Sequence, residues 1–180
     1  SPQKGRNLVL LVMSLLFYAW GEPVYVLLMA AQIAVSYVLL WLADRSGGRG
    51  AARIFYILSV LLPFAALFYF KYFNFFMNTV FGIETGAIAL PIGISFYTFQ
   101  IASYCVDVCR GRVERQRNIV TYAAYVTLFP QLVAGPIVRY SEIEQTLTRG
   151  ADLSKICGNI GNGLVRFAVG LGKKVLIAKV

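Results

Sequence analysis

The side chains best placed to form a polar site in this 180-residue chain lie in one interrupted apolar stretch, Phe129 to Tyr140. It reads FPQLVAGPIVRY and holds Gln131, Gly135, Pro136, Arg139 and Tyr140. Proline removes a backbone donor and clashes with the preceding turn, so Pro130 and Pro136 free carbonyls that at membrane depth need protein or a wet cavity as partner. A proline-kinked helix or a loop at the membrane edge is the plainer reading of an isolated Pro. Two breakers, Gln131 and Arg139 together favour a re-entrant segment lining a site. A second polar set lies upstream. If Leu90 to Gln100 opens a helix, then Phe96, Gln100, Ser103 and Asp107, spaced 4, 3 and 4, share one narrow face. Within a span such a face turns toward other helices or a substrate path, and interhelical hydrogen bonding explains it equally well. Asp107 also has the option of an interfacial pair with Arg110 one turn on.

The elements that must position these groups are apolar. The chain is 58% hydrophobic and 14% charged. Uncharged runs cover Val24 to Ala43, Thr85 to Val106 and Asn118 to Val138, each about the 20 residues a helical span needs. Ile54 to Phe70 is shorter but continues past Lys71 into an aromatic stretch, and Leu8 to Gly21 is short enough to be a half-spanning helix. The fold class expected is an all-α polytopic membrane protein, a single transmembrane domain over 1–180 with four crossings or partial crossings and one doubtful one. Pro63 falls in the middle of the third run and is expected to kink it.

The formal net charge is +9, but the basic residues punctuate apolar runs and form no nucleic-acid-reading patch, so no nucleic-acid partner is expected. Lys4 and Arg6, then Arg45, Arg49 and Arg53, then Arg110, Arg112, Arg115 and Arg117 mark cytoplasmic connections by the positive-inside rule. Gly21 to Pro23 and Asn74 to Ala89 carry no Lys or Arg and fall outside. The first two runs then form a hairpin turned at Gly21-Glu22-Pro23. Ser46 to Gly50 reads as the most flexible connection and Arg110 to Asn118 as the next.

From Ser154 to Val180 the pattern is an amphipathic helix at the cytoplasmic interface, with Lys155, Asn159, Asn162, Arg166 and Lys173 on one side and Ile160, Leu164, Phe167, Leu171 and Val175 opposite. Five glycines, from Gly158 to Gly172, weaken this helix unless another backbone packs on them. No metal site is expected: Cys105, Cys109 and Cys157 have no ligand spacing, and the chain has no histidine. The cysteines read as small buried apolar residues. No cleavable signal peptide is evident. The chain starts Ser1-Pro2 and stops inside a helical pattern, so it reads as the N-terminal to central part of a larger protein.

Four ordered motifs carry a family resemblance: LLFYAWGEP (Leu15 to Pro23), LPIGISFYTFQIASYCVDVCRG (Leu90 to Gly111), FPQLVAGPIVRY, and Gly170-Leu171-Gly172-Lys173-Lys174. Together they resemble the membrane-bound O-acyltransferases, of the alginate O-acetyltransferase type found in the bacterial inner membrane. The resemblance implies a multi-pass helical ring around a tunnel and transfer of an acyl group, here acetyl, from a cytoplasmic thioester to a hydroxyl of exported polysaccharide such as alginate. Acetyl-CoA or another acyl thioester would be the donor substrate, with no bound cofactor, and periplasmic polysaccharide-acetylation proteins and the bilayer the partners. Gln100, Ser103, Gln131, Gly135, Pro136, Arg139 and Tyr140 are the tunnel candidates, and Lys173 and Lys174 join Arg139 on the donor side, where basic groups could meet coenzyme A phosphates. Headgroup anchoring serves the basic residues as well. The family assigns proton removal to a histidine that this chain lacks, and Asp107 or a cysteine would be a base outside the family pattern, so no catalytic residue is named and the chain alone is expected to be inactive. A truncated, non-catalytic scaffold of an export complex is the alternative, and a small transporter a third class.

Overall fold

A computed structural model describes residues 2–77, 79, 90–132, 138–149 and 153–176. Among these residues the chain is all-helical and holds no strand. The described residues form eight helices in order: α1 (Pro2–Gly21), α2 (Tyr25–Arg45), α3 (Arg49–Phe76), α4 (Ile94–Cys109), α5 (Ile119–Val126), α6 (Phe129–Leu132), α7 (Tyr140–Arg149) and α8 (Leu153–Leu176). Two stretches, Tyr25–Arg45 and Arg49–Phe73, are long and apolar enough to cross a membrane, and Gly5–Gly21 is a shorter apolar helix.

The α1–α2 hairpin turns where expected, because Gly21 ends the first helix and Pro23 cannot continue its ladder. α3 runs through Pro63, which is buried. The third apolar run is therefore one helix. The fifth is not: α5 has 8 residues and α6 only 4, so the uncharged stretch from Asn118 is broken before Pro136 is reached. Asn118 starts α5 as its cap, its side-chain Oδ1 accepting from the Val120 N–H at 2.9 Å. Residues 133–137, with Gly135 and Pro136, lie outside the described residues, as does the first part of the Thr85 to Val106 run.

α4 opens at a Pro91-Ile92-Gly93 turn. Gly93 has φ +76°, and a Cβ there would sit 2.9 Å from the Leu132 carbonyl oxygen, so the start of α4 packs directly on the backbone of α6. At its other end Gly111, φ +67°, closes α4 in a paired-bond cap: Arg112 N–H donates to Asp107 O at 2.9 Å and Gly111 N–H to Val108 O at 3.0 Å. That turn carries Arg112 back to Asp107, at 3.9 Å, so the optional Asp107 pair is made with Arg112 and not with Arg110.

The connection from Arg110 to Asn118 is pinned, contrary to its flexible composition. Arg115 pairs with Asp44 at the end of α2, Tyr37 OH donates to the Arg117 carbonyl, and Val113 is buried. The Ser46–Gly50 connection shrinks to Ser46 to Gly48, since α3 begins at Arg49, and Ser46 Oγ donates to the Leu42 carbonyl at 2.7 Å.

These contacts gather the basic connections at one end of the bundle. Asn7 near the start of α1 donates to Thr121 Oγ1 (3.2 Å) and to the Leu147 carbonyl (3.0 Å), bringing α1, α5 and α7 to that end. At the other end Tyr18 OH donates to the Ile92 carbonyl at 2.9 Å, and Phe17 lies 5.6 Å from Phe129. The outer faces of α1 to α3 expose Leu16, Phe17, Leu27, Leu61, Phe68 and Trp20, the last at 94%. An apolar exterior of this extent is stable against lipid or further protein, not against water.

Cys105 is fully buried as expected, but Cys109 is exposed, because the last turn of α4 passes beyond the core. The condition under which the α8 glycines would be tolerated, another backbone packed on them, is not seen among the described residues. Gly161, Gly163, Gly170 and Gly172 have no atom within 4 Å of where a Cβ would stand, and α8 is exposed on every face from Ile160 to Leu171.

Candidate functional site

α3 and α4 run antiparallel, with Phe64 and Phe99 in edge contact at 5.6 Å. Beside this pair lies a cavity of about 330 Å³, floored by Phe64, Phe99 and Ala102 and edged by Ser103 and Asp107. Val60, Val106, Arg110, Arg112 and Arg139 complete its lining. Two arginines come from the turn after α4 and the third from the approach to α7. Residues nearly thirty positions apart in the chain thus bring three arginines to one opening.

The single carboxylate there does not neutralise them. Asp107 is buried and reaches Arg112 at 3.9 Å, a long contact to a side chain 57% exposed, which is worth little. Arg139 has no ion pair among the described residues, and its side chain is exposed. Guanidinium forks match phosphate and carboxylate oxygens in pairs, so this opening suits an anion whose remaining part is apolar enough for the floor.

Deeper along α4, Gln100 is fully buried and its Nε2 donates to Gln131 Oε1 at 2.7 Å. Gln100 Oε1 has no partner. This bond ties the polar face of α4 to the broken segment, so two sequence candidates meet directly. Ser103 Oγ, at the cavity edge, donates to the Gln100 carbonyl at 3.0 Å.

Tyr140 belongs to a different layer. It is fully buried, in edge contact with Tyr104 (5.0 Å) and Tyr125 (5.2 Å), while Tyr104 also lies 4.8 Å from Tyr122. Its hydroxyl takes a hydrogen bond from Gln116 Nε2 at 2.8 Å. Burial raises the Tyr140 phenol above its usual value despite the lowering effect of Gln116, so it stays protonated at neutral pH and offers no base. Tyr140 is therefore a positioning residue behind Arg139, not part of the cavity surface.

Gln116 organises that layer. Its backbone N–H donates to Tyr104 OH at 2.7 Å, and its Oε1 accepts from the Asn118 N–H at 3.1 Å. Neither Gln116 nor the shared roles of Arg110 and Arg112 were legible in the sequence, where the charged stretch read only as topology. Gln116→Leu removes two side-chain hydrogen bonds from a half-buried site and is expected to cost about 1–3 kcal/mol. Thermal unfolding of the purified intact protein measures this; an unchanged midpoint would show that the layer is held by ring packing alone.

Lys173 is exposed on α8, which packs on no other helix extensively, and is not brought to the cavity. The side chain of Lys174 lies outside the described residues. Among the described residues no group of three or more His, Cys, Asp or Glu could hold a metal ion.

The described residues are all helical, with two apolar helices long enough to cross a membrane and a cationic opening at one end, which fits the class of helical membrane proteins. Comparison with known proteins narrows the class. Over 99% of its length the chain is 38% identical to the probable alginate O-acetylase AlgI of Pseudomonas aeruginosa and 39% identical to that of Azotobacter vinelandii. It is 31% identical over 96% of its length to the peptidoglycan O-acetyltransferase of Helicobacter pylori. The chain belongs to the family of these proteins, the membrane-bound O-acyltransferases. It spans 36%, 37% and 38% of the length of these three relatives. No family model and no solved structure matches it.

Proposed function

We propose that this chain forms the donor-side part of a membrane O-acetyltransferase. In this reading the basic end is cytoplasmic, the protein is a multi-pass component of the bacterial inner membrane, and the cavity holds an acyl thioester, acetyl-CoA being the donor that best suits it. The carrying observation is the convergence of Arg110, Arg112 and Arg139 on one apolar-floored cavity. The phosphates would stay at the arginines, because about 330 Å³ is at the small end of ligand cavities and accommodates an acyl-bearing arm, not a whole coenzyme.

Acyl transfer from a thioester needs a held donor, an acceptor hydroxyl and a base. The described residues suit the first requirement. Arg139 and Arg112 bind charge, and the Gln100–Gln131 pair offers amide groups deeper along α4. No imidazole exists in the chain, so the role assigned to it is binding and positioning, not proton transfer.

The path from Asn118 to Tyr140 supports a re-entrant reading of the broken segment. It leaves the basic end at α5, approaches Phe17 through Phe129, and is back beside Gln116 at Tyr140. Such backbone is tolerated at membrane depth where protein covers it. α8 would lie along the cytoplasmic interface, its exposed Ile160, Leu164, Phe167 and Leu171 toward acyl chains. The acceptor is assigned to a polysaccharide hydroxyl across the membrane, as in alginate, with periplasmic partner proteins completing delivery.

The test is reconstitution of the intact protein in proteoliposomes with labelled acetyl-CoA on one side and an alginate acceptor with its delivery proteins on the other. Labelled acetyl ester on the acceptor is the expected result. Solute flux without acetyl transfer would replace this reading by a transporter, and neither activity would leave a scaffold.

A further inference from the structure

A second groove opens between α3 and α4 on the far side of Arg110, with a volume of about 350 Å³. Along α3 it is lined by Arg53, Ile57 and Leu61, spaced four and four, so they stand in a row on one helical face. Across from them lie Cys109 and Arg110 at the end of α4. Arg53, Ile57, Leu61, Cys109 and Arg110 are all exposed. The groove is thus cationic at the basic end of the bundle and apolar along its length.

We infer that this groove binds an acidic glycerophospholipid, with its phosphate between Arg53 and Arg110 and one acyl chain along Ile57 and Leu61. Charge complementarity selects this occupant. The groove lining contains two arginines and no Asp or Glu, and neither arginine has an ion pair among the described residues. A further apolar helix laid here would bury two guanidinium groups without a counter-charge, which is costly. A lipid phosphate brings the counter-charge with it. The order along α3 also matches a lipid, since Leu61 stands about 12 Å from Arg53 along the axis, a headgroup followed by the upper part of an acyl chain. Basic pockets between helices at the membrane surface are suited to such headgroups. The inference rests on the membrane reading but not on acyl transfer, and it adds a ligand distinct from the donor. Because Arg110 also edges the donor cavity, bound lipid would sit against the same guanidinium from the other side.

Cys109 supplies the readout, as its thiol lies in the groove and is exposed. The intact protein, purified and delipidated in neutral detergent, is treated with a maleimide, and modification of Cys109 is followed by peptide mapping. Phosphatidylglycerol is expected to slow this modification by at least about fivefold at saturating lipid, whereas phosphatidylcholine and glycerol 3-phosphate leave it unchanged. Arg53→Gln is expected to abolish the protection while the thermal midpoint is unaltered. Equal protection by both lipids, protection by glycerol 3-phosphate alone, or full protection retained in Arg53→Gln would each overturn the site. So would a Cys109 that is blocked without lipid, because protein would then cover the groove. If Arg53→Gln does not fold, the comparison of the two lipids on the unsubstituted protein still decides.

Discussion

Arg139→Ala in the intact protein is expected to raise the KM for acetyl-CoA by about 10- to 100-fold, the equivalent of losing one charge-assisted phosphate contact of roughly 1.5–3 kcal/mol. Membrane abundance should change little. Arg139 is exposed and has no ion pair among the described residues, so the fold loses no charge partner with it. Its neighbours make the position more demanding than a count of arginines suggests. Arg112 is partly engaged by Asp107, and Arg110 edges two cavities, which leaves Arg139 the guanidinium least committed elsewhere. Arg139→Lys keeps the charge but loses the planar fork, and should recover only part of the affinity. Raised salt should weaken donor binding by the native protein more than by Arg139→Ala. A parallel fall in activity and abundance would instead make Arg139 a structural residue.

Gly93→Ala is expected to have the largest effect on folding. The position combines a left-handed φ of +76° with a Cβ site 2.9 Å from the Leu132 carbonyl oxygen, a backbone atom that cannot rotate away. Strain and overpacking together should cost about 3 kcal/mol or more, a large share of a typical stability margin. The same displacement would part α4 from α6 and stretch the Gln100–Gln131 bond, so transfer should fall further than abundance. Measuring both quantities for Gly93→Ala, beside Gly47→Ala as a glycine with open space around its Cβ site, separates this contact from a general effect of removing glycine. Equal behaviour of the two variants would show that the α4–α6 contact is not needed.

The helices were legible because their signals are local. Apolar runs and the Gly21-Glu22-Pro23 turn give α1 and α2, and Pro130 announces a break that does appear between α5 and α6. The face holding Gln100 and Ser103 was also readable, since helical spacing alone puts them together. What escaped the sequence depends on long-range closure. The stretch from Arg110 to Asn118 is rich in charge and looked mobile, yet Asp44, Tyr37, Tyr104 and Tyr140 hold it in place from other helices. Arg110 and Arg112 read as topology signals because nothing local tells which way Gly111 turns the chain. The Pro91-Ile92-Gly93 sequence was a usable turn signal for the start of α4, but the Leu132 backbone against Gly93 was not. Tyr140, grouped with Arg139 from its place in the motif, lies buried behind it, held by Gln116. Lys173, grouped with Arg139 on charge, lies apart from it, since α8 brings no described side chain to the cavity.

Equilibrium binding of coenzyme A to the intact protein and to its Arg112→Ala, Arg139→Ala double variant tests the central assignment most directly. It needs no acceptor, partner protein or base. Loss of two charge-assisted contacts should weaken the native dissociation constant at least about 100-fold, with secondary structure and thermal midpoint retained. A dissociation constant unchanged by removing both guanidinium groups would contradict the assignment and place the acyl donor elsewhere in the protein.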